Sequence, residues 1–231
     1  MKTLFWDFDG TLSRPYSMWS GTVLRVLKEV FPDLSVDLDE VRSGLGNPYP
    51  WDNLECDWRD CVGEAWWAYY MERVAEFYTS YGADPAQAAE MGNRVRRIIL
   101  SPESYILYPD ALSTLQTCKR MGCRNYLLSN NFPELWDVAQ KLGLAQYMDG
   151  CTVSGLEGYD KPRRELFEAA LKRAGYPNDC VMIGDNPTAD VWGARQVGMT
   201  TILVHKSADD CMEDTLPDFV CDTLAEILNI L

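Results

Sequence analysis

The sequence predicts an α/β fold, a parallel sheet whose first strand leads into an inserted all-helical block. Three observations predict it. Short apolar runs of strand length recur along the chain, and runs without polar alternation suit strands buried on both faces. In the C-terminal half, segments with helical spacing separate these runs, the alternation that builds βα units and a parallel sheet. Between about residues 15 and 107 there is no convincing strand. The expected partition is a core of residues 1–14 and 108–231 carrying a helical insert of residues 15–107.

The first strand is Thr3-Leu4-Phe5-Trp6, ended by Asp7-Phe8-Asp9-Gly10. Trp19–Phe31 follows as a helix, with Val23, Leu24, Val26, Leu27 and Val30 on its apolar side. Gly44 to Pro50 holds two glycines and two prolines among seven residues and reads as a loop. Asp60–Tyr81 is a long aromatic helix with Trp67, Met71, Val74, Tyr78 and Tyr81 at core spacing. Pro85–Leu100 is a helix whose late arginines Arg94, Arg96 and Arg97 suit the dipole. The core then resumes with a helix over Ala111–Met121, a strand over Arg124–Ser129 and a helix over Pro133–Leu142, opened by its proline. A helix over Arg163–Ala174 stops at Gly175, and a strand over Cys180–Gly184 follows. A helix over Pro187–Val197 stops at Gly198, and strands over Thr200–Val204 and Phe219–Cys221 complete the sheet.

A chain of 231 residues can bury one sizeable core and a smaller insert. Its 47% hydrophobic and 24% charged content is that of a globular protein, not of a disordered one. The net charge of −14 argues against a nucleic-acid backbone or an anionic membrane surface as partner. No apolar run approaches the roughly 18 residues of a membrane span, and Asp7 interrupts the N-terminus too early for a signal peptide. A cytoplasmic protein with reduced thiols is expected. The eight cysteines form no CxxC pair, and the one histidine, His205, falls at a strand end as a structural or solvated residue. This disfavours a zinc site and a Ser/His/Asp triad. Acid–base chemistry therefore falls to carboxylates or lysine. Oligomeric state is not set by these features.

Ligands of open α/β sheets bind beyond the carboxyl ends of the strands, so the strand ends matter most. The first ends in Asp7, Asp9 and Thr11, with Gly10 allowing a tight turn. A second ends in Ser129-Asn130-Asn131, where Asn131 reads equally well as an ordinary turn residue. A third ends in Gly184-Asp185-Asn186, with Asp190 within one helical turn, and Lys161 precedes a helix. Asp7, Asp9, Asp185 and Asp190 in one crevice would repel one another strongly, and Lys161 alone cannot neutralise four carboxylates. An all-oxygen cluster calls for a hard cation, and Mg²⁺ takes one or two carboxylates plus waters and a substrate phosphate. The residues thus point to magnesium-dependent phosphate chemistry.

Asp7-Phe8-Asp9-Gly10-Thr11, Ser129, Lys161 and Gly184-Asp185-Asn186-Pro187-Thr188-Ala189-Asp190 resemble, in order, the four motifs of the haloacid dehalogenase superfamily. The resemblance implies a Rossmann-like three-layer core with the helical insert as a cap between the first and second motifs. The 31 positions from Asn130 to Lys161 leave no room for a second cap. It also implies roles. Asp7 would be the nucleophile that forms an aspartyl-phosphate, and Asp9 the acid and then the base. Asp7, Asp185 and the backbone carbonyl of Asp9 would hold Mg²⁺. Thr11, Ser129, Asn130 and Lys161 would bind the phosphoryl oxygens. Asn186 and Asp190 would support them, Asp190 by orienting Lys161 or a metal-bound water. An Asp at position 9 disfavours the dehalogenase and phosphonatase branches, and the insert's one lysine, Lys28, reads as solvated. The implied activity is hydrolysis of a small phosphorylated metabolite. A phosphomutase or phosphotransferase would use the same core residues, and a non-catalytic phosphate-binding module is a third reading.

Substrate choice would then lie in the insert, which is rich in aromatics: Trp19, Tyr49, Trp51, Trp58, Trp66, Trp67, Tyr69 and Tyr70. Trp66, Tyr69 and Arg73 form a stripe that is either a second packing face or a wall over the substrate, and Arg14 could line the entrance. The excess acid is unevenly placed. Asp33 to Asp60 holds eight acidic residues against two arginines, and the tail after Lys206 holds seven with no lysine or arginine. Most of it is expected on solvated surface, screened beyond about 8 Å at physiological salt.

Overall fold

The structure is a computed structural model describing residues 1–14, 18–46 and 58–231. Tyr49, Trp51, Cys56 and most of the expected 44–50 loop lie outside the described residues. Strands β1 (Thr3–Trp6), β2 (Arg124–Ser129), β3 (Gly150–Val153), β4 (Cys180–Gly184), β5 (Thr200–Val204) and β6 (Phe219–Cys221) form one sheet in the order β3-β2-β1-β4-β5-β6. Every pairing is parallel. The fold is α/β and Rossmann-like. The chain steps from β1 to β2 on one side and to β4 on the other, so the crevice at the end of β1 is the topological switch point.

Strand periodicity divides the core. Leu4 and Trp6 of β1 face one layer, where they join Leu12, Leu115, Phe132 and Leu135. Phe5 faces the other, with Tyr126, Leu128, Phe167 and Met182. Covering these faces are α5 (Ala111–Arg120), α6 (Leu135–Lys141), the short α7 (Ser154–Glu157), α8 (Arg164–Arg173) and α9 (Gly193–Arg195).

Among the described residues, four α-helices lie between β1 and α5: α1 (Met18–Val30), α2 (Leu38–Leu45), α3 (Glu64–Ser80) and α4 (Pro85–Ile99). The α2 helix was not anticipated. Asp37 caps it by accepting the N–H groups of Asp39 and Glu40, and Glu40 reaches back to the Asp37 N–H at 2.8 Å, a capping box. Asp84 caps α4 through the Gln87 N–H. The apolar interior of this block, including Trp66, Trp67, Tyr70, Val74 and Tyr78, is continuous with the first face of the sheet.

Two further elements differ from expectation. The edge strand β3 was missed because Asp149-Gly150 precedes only three strand-forming residues. The helix expected over Pro187–Val197 is instead a wide π-turn, Pro187–Trp192, followed by the single turn of α9. Such wide turns gather at functional sites. The cause here is Asp190, whose carboxylate is drawn back under β4 to accept the Asn186 N–H at 2.9 Å. Gly184 permits this approach, because a Cβ there would collide with the Asp190 carboxylate.

Candidate active site

The chain turns tightly after β1. The carbonyl of Phe8 accepts the N–H groups of Thr11, Leu12 and Ser13, and Gly10 takes φ +86°, a left-handed conformation that favours glycine. A side chain at position 10 would also strike the Asp185 carboxylate, since a Cβ would lie 2.5 Å from its atoms. Gly10 therefore lets the ends of β1 and β4 bring Asp7 and Asp185 together. Oxygens of Asp7, Asp185 and Asp190 all lie within 4.8 Å of one another.

Lys161 anchors this cluster. Its buried ammonium donates to Asp7 Oδ1 at 2.7 Å, Asp190 Oδ1 at 2.6 Å and the Leu128 carbonyl at 3.0 Å. Burial alone would push the Lys161 ammonium below its ordinary value, but Asp190 and Asp7 carry it above. Asp190 is fully engaged by Lys161 and the Asn186 N–H. Asp7 and Asp185 remain as the carboxylates facing a shared space. Asp185 also meets Lys206 Nζ at 3.2 Å, a cation the sequence reading did not single out. Burial and the neighbouring Asp7 raise the Asp185 pKa, against the pull of Lys206.

Asp9 stands apart from this ion-paired group. Burial, and then Asp7, push its pKa up to about 7, so it can hold or release a proton near neutrality. Its carboxylate accepts from Asn131 Nδ2 at 2.8 Å. Asn131 is thus a site residue that sequence reasoning left undecided. Its one sequence signal was its place after Ser129 at the end of β2.

The remaining expected residues fall as follows. Thr11 is buried, and its hydroxyl has no hydrogen-bond partner among the described residues, so a polar ligand would satisfy it. Ser129 is buried at the end of β2. Asn130 directly follows Ser129. Its side chain donates to the Lys161 carbonyl at 2.8 Å and accepts the Lys161 N–H at 2.7 Å. Both ends of its amide are used, so this side chain orients Lys161. Asn186 caps the π-turn by accepting the N–H groups of Thr188 and Ala189. His205 sits at the end of β5 as expected. Its ring stacks on Tyr108 at 3.8 Å and bridges the carbonyls of Thr11 and Asp222. Arg14 is exposed, its guanidinium 5.8 Å from the Tyr108 ring centroid.

The stripe in α3 splits. Trp66 is buried against Trp19, Trp67 and Tyr70. Tyr69 meets Trp58 edge-on at 5.0 Å, while Arg73 is exposed, lies 5.5 Å above Tyr69 and pairs with Glu76. The block reaches the site through other residues. Trp19 and Trp67 pack on Phe132 at 5.9 and 5.8 Å, and Trp67 Nε1 and Arg96 Nη2 donate to Glu134 at 2.7 and 2.9 Å.

This donor set suits a hard divalent cation. Two carboxylates share a space that glycine keeps open, and an unsatisfied buried hydroxyl lies on the same loop. The geometry brings together the Asp7 carboxylate, a fixed ammonium and a carboxyl group with a pKa raised to about 7, groups able to act as nucleophile, charge stabiliser and acid.

Known proteins give the same picture. A phosphoserine phosphatase from Thermus thermophilus is 33% identical over 168 residues, covering 71% of this chain and 66% of that enzyme. A ribulose-1,5-bisphosphate 5-phosphatase from Halopiger xanaduensis is 29% identical over 173 residues, covering 70% of this chain and 71% of the relative. Among solved structures, the HAD-hydrolase YfnB from Bacillus subtilis, bound to magnesium, superposes with a TM-score of 0.73 at 22% identity, covering 100% of this chain and 98% of the other. The model of the haloacid dehalogenase-like hydrolases matches residues 1–198, and the chain belongs to that family.

Proposed function

We propose that the chain is a Mg²⁺-dependent phosphatase of small phosphorylated metabolites, acting through an aspartyl-phosphate on Asp7. The observation that carries this reading is Asp7 held at 2.7 Å by the buried Lys161 ammonium, with Asp9, whose pKa is raised to about 7, two residues on. Two similar enzymes are named for small phosphorylated substrates, and YfnB was solved with magnesium.

Asp7 and Asp185, with the Asp9 carbonyl, would hold the ion, which would neutralise phosphoryl charge when bound. In the first step an Asp7 oxygen bonds to phosphorus. The bond to the leaving oxygen breaks with its electron pair on that oxygen, which takes the Asp9 proton. Lys161 fixes Asp7 and offsets charge on the phosphoryl oxygens, and Thr11 and Ser129 offer hydroxyl groups to them. In the second step water attacks phosphorus, Asp9 accepts its proton, and Asp7 returns as carboxylate with release of phosphate. Residues 15–107 serve as a cap on the core of residues 1–14 and 108–231. No helix among the described residues is long and apolar enough to cross a membrane, and the cytoplasm is the proposed setting.

The test is a panel of phosphorylated metabolites and an aryl phosphate, with Mg²⁺ and with chelator. Free phosphate should appear only with the metal, and Asp7→Asn should lower kcat by about four orders of magnitude or more. Activity surviving chelation or Asp7→Asn would overturn the mechanism. Isomer formed from a sugar monophosphate without free phosphate would point to a mutase instead.

A further inference from the structure

Residues 130–134 form a short bridge between two parts of the molecule. At one end Asn130 fixes the Lys161 backbone through two hydrogen bonds, and Asn131 donates to Asp9. At the other end Phe132 is fully buried against Trp19 and Trp67, and Glu134 receives Trp67 Nε1 and Arg96 Nη2. Arg96 is itself bracketed. Its guanidinium lies 4.8 Å above the Trp67 ring and pairs with Glu64 at 2.5 Å.

The bridge is stiff. The Asn131 N–H donates to Ser154 Oγ at 3.0 Å, and its carbonyl accepts the Gly155 N–H at 3.0 Å. The Phe132 N–H donates to Asn131 Oδ1 at 3.1 Å. That bond decides which end of the amide is oxygen and leaves the NH₂ group aimed at Asp9. Two residues separate the group that touches Asp9 from the one gripped by the helical block, and both are tied to fixed partners.

We infer that Asn131 is a positioning residue for Asp9, and that docking of the helical block on Phe132 and Glu134 sets its position. The inference rests on the phosphatase reading and adds to it a route by which α3 and α4 act on proton donation without touching the reacting atoms. A displaced Asp9 fails first with leaving groups that need its proton. A nitrophenolate leaves without one, whereas an alkoxide does not.

The experiment compares kcat/KM for p-nitrophenyl phosphate and for glycerol 2-phosphate, in wild type, Asn131→Ala and Glu134→Ala. This constant reports only the steps through transfer to Asp7, and the ratio of the two values cancels any difference in folded fraction. Asn131→Ala should lower the alkyl value about 10- to 100-fold more than the aryl value. Glu134→Ala should change the ratio in the same direction by a smaller factor, and Glu134→Gln, which keeps an acceptor for Trp67, should restore part of it. Equal losses on both esters in Asn131→Ala, or an unchanged ratio in Glu134→Ala, would overturn the inference while leaving the phosphatase reading intact. A wild-type chain that releases phosphate from neither ester and from no member of the metabolite panel overturns both.

Discussion

The rim of the sheet and the helical block are built on opposite principles. At the rim, ionisable side chains are buried or half-buried and each is held by another charge or by a strand-end amide: Lys161 by Asp7 and Asp190, Asp190 by the Asn186 N–H, Asp9 by Asn131. In the block, rings do the work, with Trp19, Trp66, Trp67 and Tyr70 packed in one cluster. Apolar packing is non-directional and tolerates many solutions. A buried ion cluster tolerates few, because each member left without its partner carries a large desolvation penalty. At the rim a single change should therefore cost activity as well as stability.

The sharpest way to break the comparison is Lys161→Met. It leaves Asp7 and Asp190 facing each other in a buried site with no cation between them. Metal-free stability should fall by about 3–5 kcal/mol, measured as a shift in urea midpoint, and activity should be lost. A loss below about 1 kcal/mol would mean that Asp7 and Asp190 carry no such desolvation penalty without Lys161.

The same contrast explains what could be read from the sequence. Buried charges need particular residue types at particular strand ends, so Asp7, Asp9, Lys161, Asp185 and Asp190 stood out as one constellation, and five of the six strands were legible as apolar runs. Geometry that depends on neighbours was not legible. Asn130 and Asn131 sit side by side at a strand end, yet one holds Lys161 and the other holds Asp9, a division set by the direction of each side chain. Lys206 looked like the boundary of an acidic tail until β5 brought it to Asp185. The α2 helix carried its own signal, Asp37 followed three residues later by Glu40, but only eight helical residues after it. In the block, the i, i+3/i+4 rule placed Met71 and Tyr81 in the core. Trp66, Tyr70 and Phe77 are the more deeply buried, because the partner helices and Phe132 decide which stripe faces inward.

Within the block, Trp66→Ala removes one of the largest buried side chains from the ring cluster. The expected cost is about 3–5 kcal/mol, with the order of preference among phosphorylated substrates unchanged. Differential scanning calorimetry and the metabolite panel check the two halves together. A reordered panel with little loss of stability would make Trp66 a substrate wall, and packing would no longer describe this region.

The smallest effect separates the two regions by pH. Asp9 binds its proton more tightly in the folded chain, with a pKa of about 7 against about 3.9 unfolded. Between these values the folded state holds more protons than the unfolded state, so stability falls as pH rises. The slope from this one group is at most about 1.4 kcal/mol per pH unit, steepest between about pH 5 and 6. Asp9→Asn should remove this contribution in the metal-free protein, as read from urea midpoints at each pH, and leave the slope of the same sign that comes from Asp185 and Asp190, whose pKa values are also raised. Trp66→Ala should lower the whole curve without changing its slope, because no titrating group is removed. A slope unchanged by Asp9→Asn would assign the whole pH dependence to Asp185 and Asp190 and leave Asp9 an ordinary carboxylate.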